Sequence, residues 1–375
     1  NLVKTVSIKM STTTLTFTRY LYNYDEVILS GLECLLKHTN IEECYYWFYE
    51  IYSSGYVDEI WVILWKIYYD FYAEKNVYLE KKMKQYYRGW KKNKSFKQIM
   101  NVLRTMHTLH KKTSGRVFMM RLYYCNTLRQ VLSKKNRSKL KNTNRKFDIL
   151  KYGLIENKDP IVGYYMKRLY SEENSSKLIN IIEEVKGVNI VLNEYYDNKL
   201  HQLYSQSIKE SIKSKKNITY QVSMDRLNEI ESTDNTCYNE SKYEGVNTVY
   251  KTLALRRKYG ISSNIGCFKL ARDGVDLNKE FWYHWEYYAY RCPLWKSRFD
   301  KYKINVDDEK KEIVFEDEDE YEEFYELYGY EPDEQSKETQ EKSTKVLKKR
   351  KLNEWLSETE VDLSRQEKIR KKLKY

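Results

Sequence analysis

The segment VDEIWVILWKIYYDFYAEKN, residues 57–76, decides the fold class that the sequence predicts. Its large apolar residues recur at intervals of three and four, which is the spacing of one face of an α-helix. They are Ile60, Trp61, Leu64, Trp65, Tyr68 and Phe71. The apolar part, residues 60–72, is too short to span a membrane and contains Lys66 and Asp70. We therefore expect a helix here and no membrane span.

Helical spacing continues on both sides of this segment, from about Asp25 to Leu132. Asn40 is a predicted N-cap, with Glu43 three residues on as in a capping box, and Gly55 is a natural residue to follow a helix end. Six helices in series with short connections predict a mainly α protein. They would form either a multi-helix bundle or a solenoid-like helical array.

Changes in composition divide the chain into five predicted regions. These are an N-terminal extension (1–20), a basic helical domain (21–151), a second helical domain (152–302) with a polar loop (214–247), an acidic segment (303–341) and a basic tail (342–375). In the second domain Asp159-Pro160 predicts a helix start, with Asp159 able to cap, and residues 190–217 predict one long helix. In the acidic segment Ile313 to Phe315 predict a short strand followed by an acidic helix, and we expect the charged tail to be partly disordered.

Charge is concentrated rather than spread. The chain has a net charge of +13, yet residues 74–151 alone contain 23 Lys and Arg against three acids. Residues 307–341 contain 17 acids against three lysines. So many positive charges close together repel one another, which an ordinary solvated surface would avoid. The basic region therefore indicates a polyanionic partner. The acidic block either docks on the basic region and competes with that partner or is a solvated linker.

The candidate binding residues lie in the first part of the basic region. The candidate phosphate contacts are Lys81, Lys82, Lys84, Arg88, Lys91 and Lys92, and the candidate base-stacking residues are Tyr87 and Trp90. No helix-turn-helix, zinc-finger or RNA-recognition signature is present, so we expect sequence-nonspecific binding to the backbone. In the basic tail Lys348, Lys349, Arg350 and Lys351 have the form of a nuclear localisation signal.

Signatures of catalysis and metal binding are weak. The sequence has no phosphate-binding loop, dinucleotide fingerprint, nucleophile elbow or kinase motif, so we assign no catalytic residue and no cofactor. His107 and His110 could share a metal ion but lack a carboxylate nearby. Cys237, Cys267, His284 and Cys292 are spaced unlike a zinc site, and we read the six cysteines as reduced thiols.

The segment FWYHWEYYAYRCPLW, residues 281–295, is the most aromatic part of the chain. On a helix its residues at offsets 0, 1, 4, 7 and 8 form one stripe, which indicates a buried face or an interface more than a base-stacking surface. That stripe comprises Phe281, Trp282, Trp285, Tyr288 and Ala289. A strong bias toward AT-rich codons explains much of the tyrosine content, because Lys, Asn, Ile and Tyr are abundant and Pro, Gly and Ala are scarce.

Residues 281–302 and 324–338, together with the helical segment 45–72, resemble conserved uncharacterised proteins of large nucleocytoplasmic DNA viruses of the mimivirus and phycodnavirus type. The resemblance implies a protein made in infected cells and located in the cytoplasm, the nucleus or the virion. It implies no activity and no site residues. The leading hypothesis is a non-enzymatic viral structural or scaffold protein that contacts nucleic acid or an acidic viral protein. The alternatives are a protein–protein module of capsid assembly or viral replication and a metal-dependent nucleic-acid enzyme.

Overall fold

The computed structural model describes residues 16–19, 21–125, 146–208, 222–229, 277–328 and 361. Within them the protein is mainly α-helical, which confirms the predicted fold class. The helices are α1 (Tyr24–Leu36), α2 (Ile41–Ser53), α3 (Glu59–Ile67), α4 (Val77–Asn93), α5 (Phe96–Thr108), α6 (Arg116–Met119), α7 (Lys146–Ile155), α8 (Asp159–Leu169), α9 (Glu172–Lys186), α10 (Lys199–Ile208), α11 (Leu277–Ala289), α12 (Pro293–Phe299) and α13 (Glu318–Tyr328). A hairpin of two antiparallel strands, β1 (Ile304–Asp307) and β2 (Glu312–Phe315), precedes α13.

The helices α1 and α2 begin at side-chain caps, and the cap of α2 is the one that the sequence predicts. The Asn40 carboxamide oxygen accepts a hydrogen bond from the Glu42 backbone amide at 3.0 Å, and Asn23 caps α1 in the same way. Glu43, the second residue of the predicted capping box, makes a different contact. Glu43 accepts a hydrogen bond from the Trp47 indole at 3.4 Å, so the carboxylate points along the helix toward its next turn.

The helices pack as a bundle rather than as a solenoid. α5 packs against α1 and α2 as well as against its neighbour α4, and α10 contacts α6, α8 and α9. In a solenoid each unit contacts only its neighbours along the chain, so contacts between elements distant in sequence favour the bundle. The indoles of Trp47, Trp61 and Trp65 lie in the core.

Two helices end in a widened π-helical turn. α3 continues into the turn Tyr68–Tyr72, and α6 continues into the turn Met120–Tyr124. A π turn adds a residue to the helical repeat and therefore reorients the side chains that follow it, and such turns occur often at functional sites. Asp70 lies in the first turn and Arg121 in the second, and their side chains pair.

The middle of the chain departs from the prediction in two places. Asp159 is the first residue of α8, but its carboxylate binds Arg116 instead of capping the helix. The single helix predicted over 190–217 is wrong at its start, because residues 188–198 form a loop and α10 begins only at Lys199. Buried Gln202 stabilises this loop by bonding to the backbone of Asn193 and Tyr196.

The boundary predicted between residues 151 and 152 falls inside α7. One cluster of buried side chains includes residues on both sides of that position, from Phe17 to Val361. The described parts of the two predicted helical domains therefore share one core.

The C-terminal elements form an aromatic layer on this core. The strand and acidic helix predicted from residue 313 onward are present as β2 and α13, although the sequence analysis did not identify β1. Buried Phe324 of α13 stacks on Phe299 of α12 at 4.5 Å between ring centres. The described part of the acidic segment, as far as Tyr328, is therefore folded structure and not a solvated linker.

The helix that contains residues 281–289 is not straight. His284 has non-helical angles (φ −139°, ψ 22°), which kink α11. Trp285, Tyr288 and Ala289 are buried as predicted. Tyr287, which the helical stripe leaves on the outer side, is buried as well, and the kink accounts for the difference. Residues 285, 287, 288 and 289 therefore pack in the core.

A close backbone contact joins the aromatic layer to the helical bundle. Gly55 follows α2 with φ +89°, and a Cβ there would lie 2.7 Å from the Cβ of Pro293. The Trp295 indole donates a hydrogen bond to the Arg19 carbonyl at 3.0 Å. Glycine at position 55 thus permits both the left-handed turn and the approach of α12.

Several predicted features lie outside the described residues. They are most of the N-terminal extension, the most basic stretch (133–146) apart from residue 146, most of the polar loop, and the basic tail with Lys348, Lys349, Arg350 and Lys351. None of the helices in the described ranges has the length and apolar character needed to cross a membrane.

Candidate nucleic-acid interface

The outer side of α4 contains most of the predicted phosphate contacts. α4 buries Leu79, Met83, Tyr86 and Trp90, which follow one side of the helix at intervals of four, three and four residues. The opposite side, called here the basic face of α4, consists of Lys81, Lys84, Arg88, Lys91 and Lys92. At a rise of 1.5 Å per residue, this row of cations is about 16 Å long from end to end.

The basic face retains most of its charge. Lys81 and Lys92 are exposed, and neither has an acidic partner among the described residues. Lys84 pairs with Glu80, one turn earlier on the same helix, at 3.0 Å. The charge of Glu194, in the loop before Lys199, also acts on Arg88, so Glu80 and Glu194 offset part of the charge of these five cations.

Tyr195, from the loop between α9 and α10, supports two of these cations. The Arg88 guanidinium donates a hydrogen bond to the Tyr195 hydroxyl at 3.1 Å. The Lys91 ammonium lies 5.6 Å from the centre of the Tyr195 ring and 5.2 Å from that of Tyr87. A neutral phenol orients a cation without cancelling its charge. Sequence analysis missed Tyr195, because 107 residues separate it from Arg88.

The two predicted base-stacking residues have other roles. The Trp90 ring is fully buried, so it offers no face to a base, and its assignment as a stacking residue is corrected. Tyr87 is half-buried, with its ring 5.0 Å from the rings of both Trp61 and Tyr195. Two neighbouring rings and the Lys91 ammonium therefore cover much of the surface of the Tyr87 ring.

A groove of about 340 Å³ lies beside the basic face, between α4 and α5. Its lining residues are Gln85, Tyr86, Gly89, Lys97, Gln98 and Asn101. Lys82 reaches its edge, where the ammonium donates to the Gln85 carboxamide oxygen at 3.4 Å. Lys82 therefore belongs to the flank of α4 and not to the basic face. Three of the lining side chains, Gln85, Gln98 and Asn101, are carboxamides.

Two arginines counted in the basic region are not on the surface. Arg116 is buried between Glu74 and Asp159, at 2.7 Å from each carboxylate. Arg121 is mostly buried against Asp70. The charge excess counted over residues 74–151 therefore exceeds what this region presents to solvent.

The Asp70 carboxylate is the centre of a buried polar network that the sequence analysis did not find. Arg121 donates two hydrogen bonds to it, at 3.0 and 2.7 Å. His201 Nε2 lies 2.9 Å from the same carboxylate, and His201 Nδ1 lies 2.8 Å from the Tyr196 hydroxyl. These groups come from two π turns, a loop and α10, so only the folded chain brings them together.

The charge states in this network follow from burial and pairing. Burial alone would raise the pKa of Asp70, but the charge of Arg121 and the contact with His201 lower it overall. Burial lowers the pKa of His201 below its ordinary 6.5, despite the nearby carboxylate. At neutral pH His201 is thus neutral, with Nε2 beside the Asp70 carboxylate and Nδ1 within hydrogen-bond distance of the Tyr196 hydroxyl. Asp70, His201 and Tyr196 are buried and Arg121 is mostly buried, which indicates a structural role for the network.

The candidate metal ligands do not form a metal site. His107 Nε2 lies 2.6 Å from the Thr39 carbonyl, and His110 Nδ1 lies 3.1 Å from the His107 carbonyl. The His38 ring stacks on that of His110 at 3.5 Å between ring centres. Burial lowers the pKa of His107, so this ring is neutral at neutral pH. Among the residues that the structure describes, no three His, Cys, Asp or Glu side chains are arranged to hold a metal ion.

The two described residues of the cysteine and histidine set, Cys292 and His284, contact backbone carbonyls. The Cys292 thiol contacts the Ser54 carbonyl at 3.2 Å, and His284 Nδ1 lies 3.1 Å from the Lys311 carbonyl. Burial raises the pKa of Cys292 to about 11, which keeps the thiol protonated. Cys237 and Cys267 lie outside the described residues.

Comparison of this chain with models of protein families, with curated proteins and with solved structures found no match. The resemblance to proteins of large DNA viruses accordingly stays a prediction.

Proposed function

We propose that this protein binds nucleic acid without sequence preference, through the basic face of α4, as a non-enzymatic structural or scaffold protein. The viral setting is part of the proposal and has its support in the sequence resemblance alone.

One observation carries the proposal: the cations of α4 fall on the side opposite its buried residues, and two of them have no acidic partner among the described residues. A rigid helix that presents a row of cations can contact successive phosphates and release their counterions. Tyr195 supports this reading because it orients Arg88 and Lys91 without neutralising them.

The described acidic helix does not compete for this surface. α13 packs on α12 and β2 through Phe324, and its acidic side chains Glu318, Glu322, Glu323 and Glu326 face solvent. The basic face of α4 is therefore open to an external polyanion as far as the described residues are concerned.

A matched pair of charge reversals tests the proposal. The first variant combines Lys81→Glu and Lys92→Glu on the basic face. The second combines Lys158→Glu and Lys310→Glu, which are exposed lysines on other elements, and changes the net charge equally. We expect the first variant to bind a labelled oligonucleotide at least about tenfold more weakly than the wild type, and the second to bind nearly as well.

Fluorescence anisotropy at fixed salt would measure these affinities, and circular dichroism would verify that both variants fold. Equal losses in the two variants would mean that only net charge matters and would overturn the proposal. Binding to an acidic protein that the first variant also loses, with no binding to nucleic acid by the wild type, would favour the protein-partner alternative.

A further inference from the structure

We infer that the groove between α4 and α5 receives one unstacked base of a single-stranded nucleic acid while the basic face of α4 holds the neighbouring phosphates. This inference rests on the proposed function and adds to it a preference for single strands over duplexes.

The position of the groove is the first support. Gln85 and Gly89, which form its α4 wall, follow Lys81 by four and eight residues, and Lys92 comes three residues after Gly89. Residues at these intervals lie along one side of a helix. The groove therefore opens between the two lysines that lack an acidic partner among the described residues.

The chemistry of the lining is the second support. The Gln98 carboxamide has no hydrogen-bond partner among the described residues. The Asn101 oxygen accepts from the Val222 amide at 2.7 Å, which leaves its NH₂ group for another acceptor. Gln85 similarly uses its oxygen with Lys82 and retains its NH₂ group. Carboxamides pair with the donor and acceptor edges of bases, and the pairing edges of a base are exposed only in single strands.

The shape of the groove depends on a glycine within a helix. A Cβ at position 89 would lie 3.1 Å from the Gln98 side-chain carbon Cδ, so any larger residue narrows the space. Glycine in a helix interior is less favourable than alanine. Its presence here keeps open a space of about 340 Å³, a volume within the range of small-ligand sites.

The test compares two labelled strands of equal length, one with bases and one abasic, which carry the same phosphates. We expect the wild type to bind the strand with bases roughly tenfold more tightly than the abasic strand. Gly89→Ala, which narrows the groove beside Gln98 and favours the helix, should reduce this preference toward one while leaving affinity for the abasic strand unchanged. Gln98→Leu should do the same by removing the carboxamide.

The Lys81→Glu and Lys92→Glu variant separates this inference from the proposed function. It should weaken binding to both strands about equally. If the wild type does not distinguish the two strands, or if Gly89→Ala and Gln98→Leu both keep the full preference, the groove holds no base, although the basic face still binds phosphates. If the wild type binds neither strand, the proposed function itself fails.

Discussion

Asp70 shows how much depends on a single buried carboxylate. It is almost fully buried, and its carboxylate pairs with Arg121 and lies 2.9 Å from the His201 ring, although these residues are 51 and 131 positions further along the chain. Sequence periodicity does not reveal a contact between residues so far apart, so the sequence alone indicates Asp70 only as a charge that argues against a membrane span. The two π turns bring Asp70 and Arg121 together, and this contact exists only in the folded chain.

We predict that Asp70→Asn lowers the free energy of unfolding by about 3–5 kcal/mol, because it leaves the Arg121 charge buried without its partner. Chemical denaturation would measure the change. Asp58→Asn is the matched control: Asp58 pairs with Lys94 at the surface, and loss of an exposed pair costs about 0–1 kcal/mol. Similar effects of the two substitutions would contradict the assignment of Asp70 as a structural centre.

At the scale of elements, helical periodicity predicted the N-terminal helices well because each one buries one face. The candidate phosphate contacts on α4 are predicted from the concentration of charge alone, and only the structure separates Lys82 from the basic face that the other five form. The prediction is wrong where side-chain hydrogen bonds to the backbone replace helical ones. Residues 190–198 are predicted as the start of a helix, but Gln202 bonds to the backbone of Asn193 and Tyr196 in a loop instead.

We predict that Gln202→Leu destabilises the loop of residues 188–198. The substitution leaves the Asn193 amide and the Tyr196 carbonyl without this partner, which should cost at least about 2 kcal/mol of stability, while the Asn193 carbonyl keeps its bond from the Tyr196 amide. Hydrogen exchange of the Asn193 amide should become faster. Gln206→Leu on the same helix is the control, because the Gln206 side chain has no hydrogen-bond partner among the described residues. Unchanged exchange at Asn193 in the Gln202 variant would disprove this role.

At the scale of the whole molecule, one core supports surfaces of opposite charge. The basic face of α4 lies on the helical bundle, and the acids of α13 lie on the C-terminal aromatic layer. The sequence predicts this separation of charge, because the basic and acidic residues form separate runs along the chain. The sequence does not predict that Arg116 and Arg121 form buried ion pairs. It also does not predict that the Trp90 ring is buried.

The most direct test of the central claim is the salt dependence of binding to a single-stranded oligonucleotide. Each phosphate contact contributes about 0.7 to the slope of log affinity against log salt. We predict that Lys81→Glu with Lys92→Glu makes this slope shallower by at least about 1.4 relative to the wild type, whereas Lys158→Glu with Lys310→Glu leaves it unchanged. The same slope in all three proteins would contradict the claim that the basic face of α4 binds nucleic acid.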